Sequence, residues 1–427
     1  MQLKNTKNYL TQNISSMYEF IDRTNISQSK IEAYQGQLND IFNNIYAKSD
    51  ATTDYLKVLH PFDIDGLINH LSPTATKIRE NFDDLIIVAM GGATLNPQTI
   101  ISVRRHNRGP RIQFALTTDP FKFRTILESV DLHKTAILVS SNSGGTTETI
   151  AMFSAFLHAY QEVGVPNIHN HFFFVVGEGD NPIRNMATEL GGTIHSHDMG
   201  IGGRYSGFSA VGVLPGLVAG LNMHEFLGGA NSVSANFWQE RNEAAPIRGA
   251  LALCLAQKPI CISLAYSDAF NPYLEWYSQI ISESTGKNGL GITPIRGVGP
   301  MDQHSMMQLY LDGPQDKIYT FFKIQNHTKE LSNIKLAKQT QPSYLQANTL
   351  QEINDAEYSA SVHAVAHNKN PLREIILKNY DEKCLGALMM HSAIEVVTLC
   401  YLMKVNPFDQ PGVELIKVKA REILSNK

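Results

Sequence analysis

The passage Ala136-Ile-Leu-Val-Ser-Ser-Asn-Ser-Gly-Gly-Thr-Thr-Glu-Thr149 runs from a continuous apolar stretch through a small polar loop into the start of a helix, Thr149-Ile-Ala-Met-Phe-Ser-Ala-Phe156. An apolar run without alternation reads as a strand buried on both faces, and a helix directly after it is the unit of a parallel sheet. Further runs lie on either side: Leu85-Ile-Ile-Val-Ala-Met90, Ile112-Gln-Phe-Ala-Leu116 and Phe172-Phe-Phe-Val-Val176. Beyond an apolar helical region near 205–223, a second series begins with Ile260-Cys-Ile-Ser-Leu-Ala265 and Ile318-Tyr-Thr-Phe-Phe-Lys-Ile324. The spacing predicts an α/β chain with two domains, each a parallel sheet between helices. The expected limits are an N-terminal helical segment at 1–50, a first α/β domain at 51–228 and a second at 229–380. C-terminal helices follow at 381–427. Ile31, Tyr34, Leu38, Ile41 and Ile45, three and four apart, set the first helical reading. Residues 272–283 read as a helix closed by Gly286, and Asn406-Pro-Phe-Asp-Gln-Pro-Gly412 separates the last two helices.

Composition narrows the function. Of 427 residues, 43% are hydrophobic and 18% charged, which supports an ordinary globular core. A net charge of −4 gives no electrostatic case for nucleic acid. The four cysteines, Cys254, Cys261, Cys384 and Cys400, form no CxxC pair and read as buried thiols of a reducing compartment. Met1-Gln-Leu-Lys-Asn-Thr-Lys7 lacks the apolar core of a signal peptide. Tyr205–Met223 is free of charge, but its glycines and Pro215 suit a buried helix or helix pair better than a membrane span. The expectation is a soluble, cytoplasmic protein with neither membrane nor nucleic acid as partner.

Three places carry possible chemistry. In the loop after Val139, hydroxyls and backbone N–H groups at a helix start suit a phosphate; the alternative is an ordinary Ser/Gly turn. No GK[ST] follows, so a Walker A loop is excluded. Met90-Gly-Gly-Ala-Thr94, the turn after another strand, can present backbone to the same ligand. Gly202-Gly-Arg-Tyr-Ser206 sets an arginine at the head of the uncharged stretch, where it either holds an oxyanion or phosphate or satisfies carbonyls at a helix start. Finally, Gln279 and Glu283 are four apart on one helix face among Trp276, Tyr277, Ile280 and Ile281. An apolar wall suits a carboxylate acting as a base near neutral pH, and a plain surface carboxylate is the competing reading. A loop histidine, His304, follows in Gly299-Pro-Met-Asp-Gln-His-Ser305. His169, His171, His195 and His197 alternate as metal ligands can, without a spaced acidic or cysteine partner, so no metal is assigned. Lys417 and Lys419 read as surface lysines.

These segments resemble the phosphoglucose isomerase family, in its shorter bacterial branch. Ile201-Gly-Gly-Arg-Tyr-Ser-Gly-Phe-Ser-Ala-Val-Gly212 is similar to one family signature and Pro411-Gly-Val-Glu-Leu-Ile-Lys417 to another. Glu283-Ser-Thr-Gly-Lys287 and Gly299-Pro-Met-Asp-Gln-His304 resemble its catalytic segments, in family order. The resemblance implies two sugar-isomerase domains and interconversion of glucose 6-phosphate and fructose 6-phosphate in glycolysis and gluconeogenesis, without a cofactor. It also implies the roles. Ser141, Ser143 and Thr146 would hold the phosphate, with Gly92 beside them, and Gln279 would contact sugar hydroxyls. Glu283 would move the proton between C1 and C2, Arg204 would stabilise the enediolate, and His304 and Lys417 would open the ring. The family's histidine comes from the partner subunit, which implies a homodimer. Asn142 and Gly144-Gly145 depart from many members, as does Ala93. A relaxed isomerase that also accepts mannose 6-phosphate is one alternative. A sugar-phosphate sensor without turnover is another, and it would need none of Glu283, His304 and Lys417.

Overall fold

The computed structural model describes residues 2–5, 9–23, 27–48, 55–104, 109–339, 342–346 and 348–426. Parts of the predicted first segment (6–8, 24–26, 49–50) lie outside them. The described strands are β1 (Gln2–Asn5), β2 (Leu10–Asn13), β3 (Asp84–Ala89), β4 (Arg111–Ala115), β5 (Thr135–Ser141), β6 (Phe172–Gly177), β7 (Thr193–His197), β8 (Ile260–Ala265), β9 (Thr293–Val298), β10 (Lys317–Ile324) and β11 (Leu372–Leu377). The chain divides into two compact units, Ser49–Ser232 with Asp381–Ala387, and Met1–Lys48 with Val233–Tyr380 and Leu388–Lys427.

The first unit contains a parallel sheet in the order β4-β3-β5-β6-β7. Every residue of β3, β5 and β6 is buried, as the continuous apolar runs predict. Ile86, Val88, Ile137, Val139, Phe172, Phe174 and Val176 form one face of the core. Against them pack Met152, Phe153, Phe156 and Tyr160, four residues of the helix Thr147–Val163 at helical spacing. From β3 the chain winds to β4 on one side, and from β5 to β6 on the other. The order therefore reverses between β3 and β5, and the carboxyl ends of those two strands border the crevice where open α/β sheets bind ligands.

The second unit repeats this winding. Its order β1-β2-β11-β10-β8-β9 contains β9-β8-β10-β11, all parallel, with the reversal between β8 and β10. The antiparallel pair β1–β2 extends the sheet beside β11. This corrects the reading of the first residues as wholly helical: Leu10–Asn13 is a strand, followed by helices Ser15–Arg23 and Gln28–Asn44. The predicted helix at 272–283 runs over Asn271–Thr285, and the C-terminal pair over Glu382–Leu402 and Glu414–Ser425. Residues 205–223, read as a helix or helix pair, form a 3-10 turn, Gly203–Phe208, and one helix, Ala210–Val218, before the next begins at Met223. Among the described residues one helix, Glu382–Leu402, is long and apolar enough to cross a membrane, and 94% of its apolar window is buried inside the protein.

One buried polar network ties the second unit together. Arg373 on β11 donates two hydrogen bonds to Glu395, Nη1 to Oε2 at 2.5 Å and Nη2 to Oε1 at 2.9 Å, and a third from Nη2 to the Tyr277 hydroxyl at 2.7 Å. The pair is 0% and 1% exposed. Burial pushes the Glu395 carboxyl up, but the Arg373 guanidinium, with His391, more than reverses this and leaves it at about 2. Tyr277 stands on the helix that carries Gln279 and Glu283, so the network anchors that helix from behind.

Candidate active site

In the first unit, three turns meet at the carboxyl end of the sheet. After β5, Ser141 Oγ accepts from the Gly144 N–H at 3.1 Å, and Ser143 Oγ from the Gly145 N–H at 3.3 Å. Gly144 has φ +61°, and a Cβ there would stand 1.8 Å from Asn181 Oδ1. Left-handed backbone and close approach both demand glycine, which explains this departure in the loop. Thr146 is the N-cap of the helix Thr147–Val163, yet its side chain accepts no capping hydrogen bond. Its hydroxyl lies 3.5 Å from Ser141 Oγ instead. The first-turn N–H groups of this helix keep their capacity for an anion.

The turn after β3 places Gly91, at φ +58°, ahead of the helix Gly92–Ile101. A Cβ on Gly92 would lie 2.2 Å from the Gly203 carbonyl oxygen. Gly92 thus lets the β3 turn press against Gly203-Arg204. Fully buried Asn96, missed by sequence reasoning, fastens that contact: its Nδ2 donates to the carbonyls of Gly92 at 2.7 Å and Gly203 at 3.0 Å. Its signal in the sequence is slight, because Thr94, Gln98 and Thr99 share the same helix. Asn142 Nδ2 donates to the Ile201 carbonyl at 3.2 Å, tying the β5 loop to the same stretch. Arg204 is 3% exposed, with its guanidinium 5.5 Å from the Tyr205 ring centre. The structure therefore gathers Ser141, Ser143, Thr146, Gly92 and Arg204 at one end of one sheet. Thr94 Oγ1, Ser140 Oγ and Asn142 Oδ1 in the same turns are buried with no protein partner among the described residues.

The alternating histidines are held by their own neighbours. His195 Nε2 pairs with Thr74 Oγ1 at 2.9 Å and its Nδ1 with His70 Nε2 at 3.1 Å. His197 Nε2 meets the Ile201 carbonyl at 3.1 Å, and His171 Nδ1 the Thr135 carbonyl at 2.9 Å. Burial pushes all three below the usual histidine range.

In the second unit, Gln279 Nε2 donates to Glu283 Oε1 at 2.9 Å, so the predicted shared helix face is real. Tyr273, Trp276, Tyr277, Ile280 and Ile281 of that helix are buried. His304 is exposed on the short helix Met301–Ser305, which follows β9. Gln303 Oε1 accepts from Tyr266 at 2.8 Å and Ser361 at 3.1 Å, and Asp302 Oδ2 from the Val298 N–H at 2.7 Å. These bonds fix the short helix and set the histidine outward. Lys417 is exposed on the last helix, with Nζ 2.7 Å from Glu414 Oε1. The Glu283 helix ends before β9 begins, and His304 follows after β9 ends. The six-residue β9, about 20 Å long at the usual rise per residue, lies between them in the chain.

A family model described as phosphoglucose isomerase matches residues 73–427. A protein of Carboxydothermus hydrogenoformans named glucose-6-phosphate isomerase is 25% identical over 424 residues, covering 93% of this chain and 90% of its own length. Its namesake from Rubrobacter xylanophilus is 30% identical over 345 residues, covering 78% and 80%. A solved structure of a hypothetical protein from Thermus thermophilus superposes with a TM-score of 0.86 at 25% identity, covering 97% of this chain and 99% of that one. Matched over most of its length in sequence and fold, the chain belongs to the phosphoglucose isomerase family.

Proposed function

We propose that this isomerase interconverts glucose 6-phosphate and fructose 6-phosphate through ring opening and a cis-enediolate. The observation that carries the reading is the family match over residues 73–427, which holds both the hydroxyl-lined β5 loop and the Glu283 helix. The phosphate sits in the loop formed by Ser141, Ser143 and Thr146, against the N-terminus of the helix Thr147–Val163. The substrate arrives as a ring. His304 and Lys417 exchange protons at O5 and O1 to open it. Glu283, oriented by Gln279, takes the proton from C2 of the aldose and returns it to C1. Negative charge grows on oxygen in between, and the Arg204 guanidinium stabilises it. The chemistry consists of proton transfers alone, so no cofactor is required.

The working form is a homodimer in which each site takes His304 of the partner subunit. The strand length between Glu283 and His304 within one chain supports this. So do the exposed apolar residues of the last helix, Leu415, Ile416, Ile423 and Leu424, a surface that a partner can cover. Among the described residues the four cysteines form no disulfide, which fits a reducing cytoplasm and a place in glycolysis and gluconeogenesis. The test is turnover of fructose 6-phosphate to glucose 6-phosphate with EDTA present, wild type beside Glu283→Gln. Fast wild-type turnover that collapses in the variant is expected. Binding of fructose 6-phosphate without wild-type turnover would overturn the assignment in favour of a sensor.

A further inference from the structure

Lys287 closes the helix that carries Glu283. The last i→i−4 bond of that helix runs from the Gly286 N–H to the Ser282 carbonyl at 3.0 Å. The next two carbonyls, of Glu283 and Ser284, are therefore past the end of the ladder. Lys287 Nζ donates to both, at 2.8 Å and 2.7 Å. It also lies 3.5 Å from Asp409 Oδ1, and the lysine side chain is only 6% exposed. An ammonium has three donors and no acceptor; two of them bond these carbonyls, and the Asp409 carboxylate lies within ion-pair distance. Its charge also complements the negative end of the helix dipole.

The lysine is itself held in place. Its N–H donates to the Leu290 carbonyl at 3.1 Å, and the Leu290 N–H returns a bond to Lys287 at 2.8 Å. Asn288 and Gly289 between them are both at positive φ, the backbone of a tight Asn-Gly hairpin turn. Asp409, in turn, stands in the loop that enters the Pro411–Val413 turn and the helix Glu414–Ser425, on which Lys417 lies.

We propose that Lys287 is a positioning residue that holds the backbone of Glu283 and, through Asp409, the entry to the Lys417 helix, so that one buried cation sets the proton-transfer carboxylate and the ring-opening ammonium. The inference rests on the roles assigned above to Glu283 and Lys417. Lys287 acts through geometry, to which proton transfer is sensitive at the ångström scale.

The experiment compares wild type, Lys287→Met, Lys287→Arg, Asp409→Asn, the Lys287→Met/Asp409→Asn double variant and Glu283→Gln. It reads kcat and KM for fructose 6-phosphate together with thermal midpoints. Lys287→Met is expected to lower kcat about 10–100-fold with KM within about threefold, the mark of misplaced groups rather than weakened binding. Asp409→Asn is expected to cost about 3–10-fold alone and nothing further in the double variant, because the two share one contact. Lys287→Arg restores the charge but replaces three divergent donors with a planar fork, so it recovers only part of kcat. Lys287→Met with normal kcat and a lowered midpoint, or additive losses in the double variant, would overturn the positioning role while leaving the isomerase reading intact. Turnover retained by Glu283→Gln would overturn the base assignment and the role of Lys287 with it. Should Lys287→Met not fold, the half-exposed Asp409→Asn decides alone: unchanged kcat there overturns the proposal.

Discussion

The two sheets share one winding but place their candidate residues differently around it. In β4-β3-β5-β6 the reversal point is bordered by glycine turns and a hydroxyl loop, with Gly92, Ser141 and Arg204 at the carboxyl end. In β9-β8-β10-β11 the residues after β8 are Tyr266-Ser-Asp-Ala-Phe270, and Phe270 is packed among Tyr273, Phe322 and Tyr380. An aromatic plug stands where the other unit has a cradle. The second unit carries its carboxylate at the far end of the following helix, near the start of β9. Identical topology does not fix the place of a site; the residues at each strand end do.

The sharpest test of that division is Glu283→Gln. It should lower kcat about 10²–10⁴-fold, the usual contribution of a positioned base, and leave KM for fructose 6-phosphate nearly unchanged. A KM effect alone would return Glu283 to the binding surface. The placement of His304 can be challenged by mixing. Glu283→Gln and His304→Ala chains, each inactive alone, should regain about a quarter of wild-type activity after random reassortment into two-fold dimers, since a mixed dimer has one complete site. Absence of recovery would place the histidine in the same chain as its carboxylate.

Arg373→Met attacks the second unit only. It strands a buried Glu395 carboxylate and should cost about 3–5 kcal/mol in denaturant unfolding. Trp238 and Trp276 both belong to that unit, so tryptophan emission reads its unfolding. Ser141→Ala attacks the first unit. Losing a hydrogen bond to a charged phosphate costs about 1.5–3 kcal/mol, so KM should rise roughly 10–100-fold with kcat little altered. A further test of the second unit is acid sensitivity. Glu395 is lowered from 4.5 to about 2 in the folded chain. The unfolded chain binds the proton more readily, so this stabilisation is complete above 4.5 and is lost as pH falls from there toward 2. Emission followed against pH should show that loss, and Glu395→Gln should remove it.

What the sequence made legible follows mostly from burial, although the edge strand β4, only partly buried, also showed as the run Ile112–Leu116. β3, β5, β6, β8 and β10 are central strands with two covered faces, and each stands out as an apolar run. The edge strands β7, with His195 and His197, and β9, with Pro294, Arg296 and Gly297, lack such runs and escape the pattern. β11 hides for another reason. Arg373 and Glu374 break its apolar pattern, and their partners, Glu395 for the first and Tyr358 and Asn13 for the second, are distant in the chain. The same limit hid Asn96 and the Lys287–Asp409 contact, whose meaning depends on neighbours that only folding supplies. The Gln279–Glu283 pair was legible because helical spacing alone brings it together.

The β1–β2 pair also has a consequence for how the chain is made. Asn13 Nδ2 bonds Glu374 Oε2 across 361 residues of chain. At about 5–20 residues per second, the first strands leave the ribosome roughly 20–70 seconds before β11 exists to receive them. The five-stranded sheet draws only on residues 84–197 and can close while synthesis continues. The nascent chain thus completes its five-stranded sheet early and keeps its opening segment waiting for a docking strand.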